Sequence, residues 1–201
     1  MSQNKTNFAV PLAFVGMMFF AIGFALGINS FLIPVLKGAL SLPSGVAYLL
    51  LAATFVPFLI FGYPASATIA KIGYKRTMAL SFLIFAVAFI LFVLSAKLEN
   101  FILFLIASFV SGAANAYLQA SVNPYITILG PIESAAKRMS IMGICNKLAW
   151  PVAPLFFALV VADQTNVQTS DLYLPFYIII GVFLLLGIIS LMAPLPEVKA
   201  A

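Results

Sequence analysis

Phe101 to Ile128 reads FILFLIASFVSGAANAYLQASVNPYITI, a stretch without a single charged side chain. About 20 predominantly apolar residues suffice to cross the hydrocarbon core of a bilayer as a helix. This stretch exceeds that, so it is a membrane span in its own right. It also carries three amides, Asn115, Gln119 and Asn123, followed by Pro124. Their spacing of four aligns them on one helix face. A polar stripe about three turns long is costly against acyl chains, so it must face another helix or a wet cavity.

The rest of the chain repeats the apolar theme. Of 201 residues, 64% are hydrophobic and only 7% charged, far below the roughly 25% charge of a soluble domain. Helices are expected near 9–36, 44–70, 77–95, 101–128, 139–161 and 172–193. Six spans nearly exhaust the length, so residues 1–201 form one six-helix membrane bundle with no soluble catalytic domain. The apolar stretch from Phe8 to about Leu36 is too long for the h-region of a cleaved signal peptide and reads as the first span. There is no histidine, and the acids Glu99, Glu133, Asp163, Asp171 and Glu197 fall in or beside loops. Cys145 is the lone cysteine, which excludes an intramolecular disulfide and a cysteine metal cluster. No metal or other cofactor is expected.

The formal net charge of +5 does not indicate nucleic acid, because the basic residues sort by loop. Lys5, Lys71, Lys75, Arg76, Lys137, Arg138, Lys147 and Lys199 are assigned to one side, Lys147 being taken with the near end of the fifth helix. Lys37 and Lys97 are assigned to the other. The excess places both termini of a multi-pass membrane protein in the cytoplasm.

Asn29 and Ser30, followed by Pro34, repeat the amide-then-proline pattern on the first helix. Helices one and four head two successive three-helix units. Three spans reverse the direction of the chain, so the two units form a 3+3 inverted repeat. Interrupted helices at matching positions of inverted repeats point to a midplane substrate site. One amide alone reads equally well as interhelical glue. For the whole stripe a cavity is the favoured reading, and amides offer both donor and acceptor to sugar hydroxyls. Trp150, read as lying near a helix end, is taken as an interfacial anchor in preference to a sugar platform. Gly23 and Gly27, with Gly16 one heptad earlier, are expected to form a close packing seam.

The segment Leu118 to Lys147, LQASVNPYITILGPIESAAKRMSIMGICNK, resembles the hallmark stretch of bacterial glucose/galactose transporters. These belong to the fucose–galactose–glucose:proton symporter family of the major facilitator superfamily. Asn29-Ser-Phe-Leu-Ile-Pro34 resembles the family's N-D-x-L-x-P, and Pro64 to Lys75 resembles its loop between helices two and three, with Lys71, Gly73 and Lys75 retained. The resemblance implies an N-terminal six-helix half ending at Pro194-Leu-Pro-Glu-Val-Lys199. Asn29, Gln119, Asn123 and Asn146 would then face a central hexose cavity closed by a second six-helix bundle, either a C-terminal half or another copy. It also exposes departures. Ser30 and Gln119 stand where proton symporters carry acids, and Ser66 and Ala70 where the loop usually has Gly and Asp. Proton coupling is thereby weakened, which leaves Na+ coupling or uniport open. The expectation is hexose transport by alternating access, for glucose, galactose or fucose; the alternative is a truncated or non-transporting membrane subunit. An enzyme would need a catalytic cluster, and Glu133 beside Lys137 and Arg138 is the sole poor candidate.

Overall fold

A computed structural model describes residues 8–196. Lys5, Glu197 and Lys199, invoked above, lie outside them. Helix α1 runs Ala9–Ala39. A short α2 (Ser44–Ala47) leads into α3 (Leu49–Ile60) and α4 (Gly62–Ile72). Then follow α5 (Tyr74–Leu98), α6 (Phe101–Ile128), α7 (Ala135–Val160) and α8 (Tyr173–Met192). Five of these elements are long and apolar enough to cross a membrane, and the bent run α2–α4 makes a sixth span. The chain is thus an all-helical, multi-pass six-span bundle.

Span four coincides with its expected limits because both ends are fixed by side chains. Asn100 Oδ1 accepts the amides of Ile102 (3.0 Å) and Leu103 (3.4 Å), capping the first turn. Arg138 holds the other end.

Three expectations need correction. Pro34 and Pro124 do not interrupt their helices, which run on through them. Each costs one backbone bond, which a membrane helix tolerates where local adjustment satisfies the freed carbonyl. The break falls instead in span two, expected to be continuous over 44–70, where α3 and α4 meet at 53°. Pro57 and Pro64 remove two backbone donors on either side of Gly62. Finally, the breaks drawn at 71–76 and 129–138 are shorter. Gly73 alone separates α4 from α5, and α7 begins at Ala135 after a 3-10 turn over Ile132–Ser134.

The early start of α7 moves Asn146 and Lys147 away from a helix end, and Trp150 is central within the expected limits as well as the observed ones. All three stand near the middle of a 26-residue helix. Lys147 therefore does not belong with the charges at the end of the bundle. Among described residues, that end carries Lys71, Lys75, Arg76, Lys137 and Arg138, and the opposite end Lys37 and Lys97.

Packing follows the inverted repeat. Exchanging the two three-span units turns the α1–α7 pair into the α6–α3 pair, and both are closed by glycine. A Cβ on Gly23 would lie 1.9 Å from the Asn146 carbonyl oxygen, and one on Gly27 2.4 Å from that of Trp150. A Cβ on Gly112 of α6 would lie 2.1 Å from the Thr54 carbonyl oxygen of α3. The expected GxxxG seam is therefore real, and it has a counterpart in the other unit. Phe82, Phe85, Phe89 and Phe92 of α5 interlock with Phe176 and Phe183 of α8, ring centroids coming as close as 4.8 Å. The symmetry stops at one seam. The short Glu99–Asn100 turn folds α5 along α6, as short connections do. Helix α8 does not lie along α1 in the same way, and an apolar groove of about 770 Å3 separates them beside α7.

Candidate functional site

Three amide-bearing helices meet near the middle of the bundle. The Ile22–Gly23 turn lies near the centre of α1, Asn115 near that of α6 and Asn146 near that of α7. Asn115 is buried and donates from Nδ2 to the Ile22 carbonyl at 3.4 Å. On the other side of the same turn, the Asn146 backbone closes against Gly23. One turn of α1 is thus gripped from two helices, which sets the three amide-bearing elements side by side.

The stripe on α6 divides by function. Asn115 is structural, tying α6 to α1. Gln119 is half-buried and donates from Nε2 to Asn115 Oδ1 at 3.1 Å, leaving its own carbonyl oxygen to accept. Asn123 is half-buried and makes no side-chain hydrogen bond among the described residues, as does Asn146. A buried, linked amide therefore backs three side chains with unused hydrogen-bonding capacity. The glue reading of the stripe holds for Asn115, while Gln119 and Asn123 keep unused hydrogen-bonding groups.

Asn29 sits elsewhere. It is 4% exposed and donates from Nδ2 to Thr54 Oγ1 at 3.2 Å, while Thr54 donates to the Leu50 carbonyl at 2.8 Å. The bond joins α1 to α3 near the Gly112 level of α6, on the other side of Asn115 from Gln119. Thr54 was not singled out in the sequence, because a lone threonine in an apolar run gives no signal until its partner is known. Ser30, next to Asn29, is exposed and borders a half-polar recess of about 530 Å3 between α1, α7 and the connection over 161–168.

Trp150 is no interfacial anchor. It lies at mid-helix, its ring face covered by the Lys147 ammonium at 5.0 Å from the centroid. Its Nε1 is buried without an acceptor among described residues. A sugar ring cannot stack on the face that Lys147 occupies.

Lys71 and Lys75 do not share a loop. Lys71 is in the last turn of α4 and Lys75 in the first of α5, with Gly73 the hinge between them. Gly73 has φ +84° and ψ 172°, a region essentially closed to side chains. Its carbonyl accepts the Thr77 hydroxyl at 2.7 Å, fixing the corner. The Glu133 cluster fails as a catalytic centre, since Glu133 makes no ion pair with Lys137 or Arg138 among described residues. Arg138 instead points its guanidinium at backbone carbonyls.

A six-span bundle built from inverted three-span units, with a polar stripe at mid-depth, defines half of a major facilitator fold. The sequence pattern of the Major Facilitator Superfamily matches residues 14–201, and the chain belongs to that family. Membership places it among transport proteins rather than enzymes. The glucose/galactose transporter of Brucella abortus biovar 1 (strain 9-941) is 30% identical over 98% of this chain and 49% of its own length. The L-fucose-proton symporter of Escherichia coli (strain K12) is 23% identical over 98% of this chain and 50% of its own. The crystal structure of the major facilitator transporter FucP in the outward conformation superposes with a TM-score of 0.79 at 22% identity. That match covers 95% of this chain and 51% of FucP. The chain thus spans about half the length of the curated relatives it matches.

Proposed function

We propose that this chain is one bundle of a sugar transporter and supplies one wall of a hexose site, with Gln119, Asn123 and Asn146 as its sugar contacts. The observation that carries this reading is the unused hydrogen-bonding capacity of three amides on α6 and α7 of one bundle. Neutral amides bind hydroxyls without demanding charge, and each presents a donor and an acceptor. Glucose, galactose and fucose are the hexoses that the relatives' names suggest. Alternating access needs a second six-helix bundle, a C-terminal half or another copy, rocking against this one. Asn29 serves the site by fixing α1 to α3 rather than by touching sugar.

The bundle end bearing Lys71, Lys75, Arg76, Lys137 and Arg138 faces the cytoplasm of the bacterial inner membrane in this reading, with both termini on that side. Lys71, Gly73 and Lys75 then form an inner corner that shifts when the bundle rocks. Glu99, Glu133, Asp163 and Asp171 all lie outside the long helices. Any coupling ion on this half is therefore met by neutral oxygens, which suits Na+ or plain uniport better than H+.

The test is hexose binding and uptake by the assembled transporter carrying Gln119→Ala or Asn123→Ala. Loss of two or more hydrogen bonds to sugar should weaken affinity by roughly tenfold or more in each. Expression and melting temperature should stay near those of the parent. Unchanged affinity in both variants sinks the site assignment.

A further inference from the structure

Lys147 is exposed on α7, near the middle of a helix that crosses the bilayer. Charged side chains at such depth are costly in lipid and almost always find a counter-charge or a polar cavity. Lys147 does not escape to a surface, since its ammonium rests on the Trp150 ring of the next turn. A ring face offsets part of the desolvation cost but does not neutralise the charge.

Where Lys147 points follows from the helix itself. Ile141, Ile144, Leu148, Leu155 and Leu159 are exposed and fall along one side of α7. That apolar stripe is the lipid side. Ala149, Ala153 and Phe157 are buried in the bundle. Lys147 belongs to neither group. It shares a third side with Ser140, Gly143, Trp150 and Pro151, next to Asn146, which borders the contact with Gly23. This side carries a full positive charge and leaves Ser140, Lys147 and Pro151 exposed. Glu99, Glu133, Asp163 and Asp171, the acids among the described residues, lie outside the long helices, so no carboxylate within the bundle stands at this depth.

From this we infer that Lys147 is one partner of an ion pair across the interface with a second bundle, which presents an Asp or Glu carboxylate at mid-membrane depth. The inference rests on the two-bundle reading above, and it specifies the surface that faces this one. A helix with an acid at its middle is rejected by lipid for the same reason as α7, so each helix protects the other. The charge also explains the covered Trp150 face: the ring parks the ammonium when the carboxylate moves away.

The experiment uses native membranes treated with a membrane-permeant carbodiimide. This reagent condenses an amine with an adjacent carboxylate into an amide, and the water lost is taken up as a urea. Peptide mass mapping should find Lys147 in an amide with an Asp or Glu of an apolar, span-derived peptide. Retention of the two bundles is then measured after cleavage of any connection between them. Lys147→Arg should abolish the cross-link yet keep the bundles together, and Lys147→Gln should lower their retention by roughly tenfold or more. An unlinked Lys147 together with full retention in Lys147→Gln overturns the inference. So does an amide joining Lys147 to a sugar acid, which would make the carboxylate the solute's. Hexose binding is measured on the same preparation: a cross-linked Lys147 without hexose binding would refute the sugar reading and leave the ion pair standing.

Discussion

Arg138 commits its guanidinium to the carbonyls that α6 leaves unpaired at its end. Nε donates to Ile126 O at 3.1 Å and Nη2 to Thr127 O at 3.0 Å. Nη1 reaches Pro131 O at 2.9 Å and Ser134 Oγ at 2.5 Å. A helix C-terminus carries partial negative charge and orphan carbonyls, and a buried fork-shaped cation satisfies both needs. Gly130, at φ +121°, is confined by the same group, since a Cβ there would sit 3.1 Å from Nη1. Arg138→Ala should therefore lower stability by about 3 kcal/mol, and Arg138→Lys should recover little of it because an ammonium cannot fork. Thermal unfolding in detergent reads both; a lysine variant as stable as the parent would reduce Arg138 to a mere charge. Asp163 gives a second prediction. Its carboxyl is held below the usual range, first by the Thr165 hydroxyl at 2.6 Å and then by the Thr165 amide at 2.9 Å. A depressed folded pKa stabilises above the unfolded value and is lost as pH falls through the folded one. The 163–165 turn should stay closed from about pH 8 to about pH 5 and open only below about pH 4, as amide exchange corrected for intrinsic rate would report.

Among the elements, the α1–α7 pair decides the shape of the proposed sugar wall. Its contact is set by glycines that let backbone meet backbone, so the helices cannot be moved apart without moving Asn146 from its place against Gly23. Gly23→Leu should destabilise the bundle by about 2–3 kcal/mol, whereas Gly143→Ala, with no heavy atom near the added Cβ, should change little. Equal melting temperatures for the two would refute the seam. Gly23 and Gly27 were legible in the sequence because their spacing states both a face and a partner of small clearance. Span two was not, since Pro57 and Pro64 look no different in the sequence from Pro34 and Pro124. What separates them is local. Pro34 and Pro124 each stand alone in a long helix that otherwise keeps its backbone ladder. Two prolines flanking Gly62 remove donors from adjoining turns where the chain also lacks a side chain to stiffen it. The start of α7 was hidden for a similar reason: nothing in the charge pattern says that Arg138 will cap α6 and draw the helix back to Ala135. That shift carried Lys147 to the middle of the helix, whereas Trp150 is already central within the expected 139–161, and its reading as near an end is wrong.

At the scale of the molecule, orientation is the quantity on which the functional reading turns. With Lys147 removed from the count, five described cations still stand at one end against Lys37 and Lys97 at the other. The second end also holds Glu99, Asp163 and Asp171. Glu99 accepts the Thr169 hydroxyl at 2.8 Å there, and Lys97 lies over the rings of Tyr173 and Tyr177 at 5.7 Å and 5.8 Å. Such lysine–tyrosine clusters suit a headgroup boundary, and they leave Lys97 bound to the interface rather than free to weigh on topology. The cationic end should accordingly be cytoplasmic. Cys145 is the lone cysteine, so a Cys145→Ser background accepts single reporters. Intact cells treated with a membrane-impermeant maleimide should label Asn166→Cys, in the connection before α8, and spare Ser134→Cys, before α7, until the membrane is opened. Labelling of Ser134→Cys alone in intact cells would invert the bundle. It would put the Gly73 corner outside and reverse the direction in which the amide wall opens to sugar.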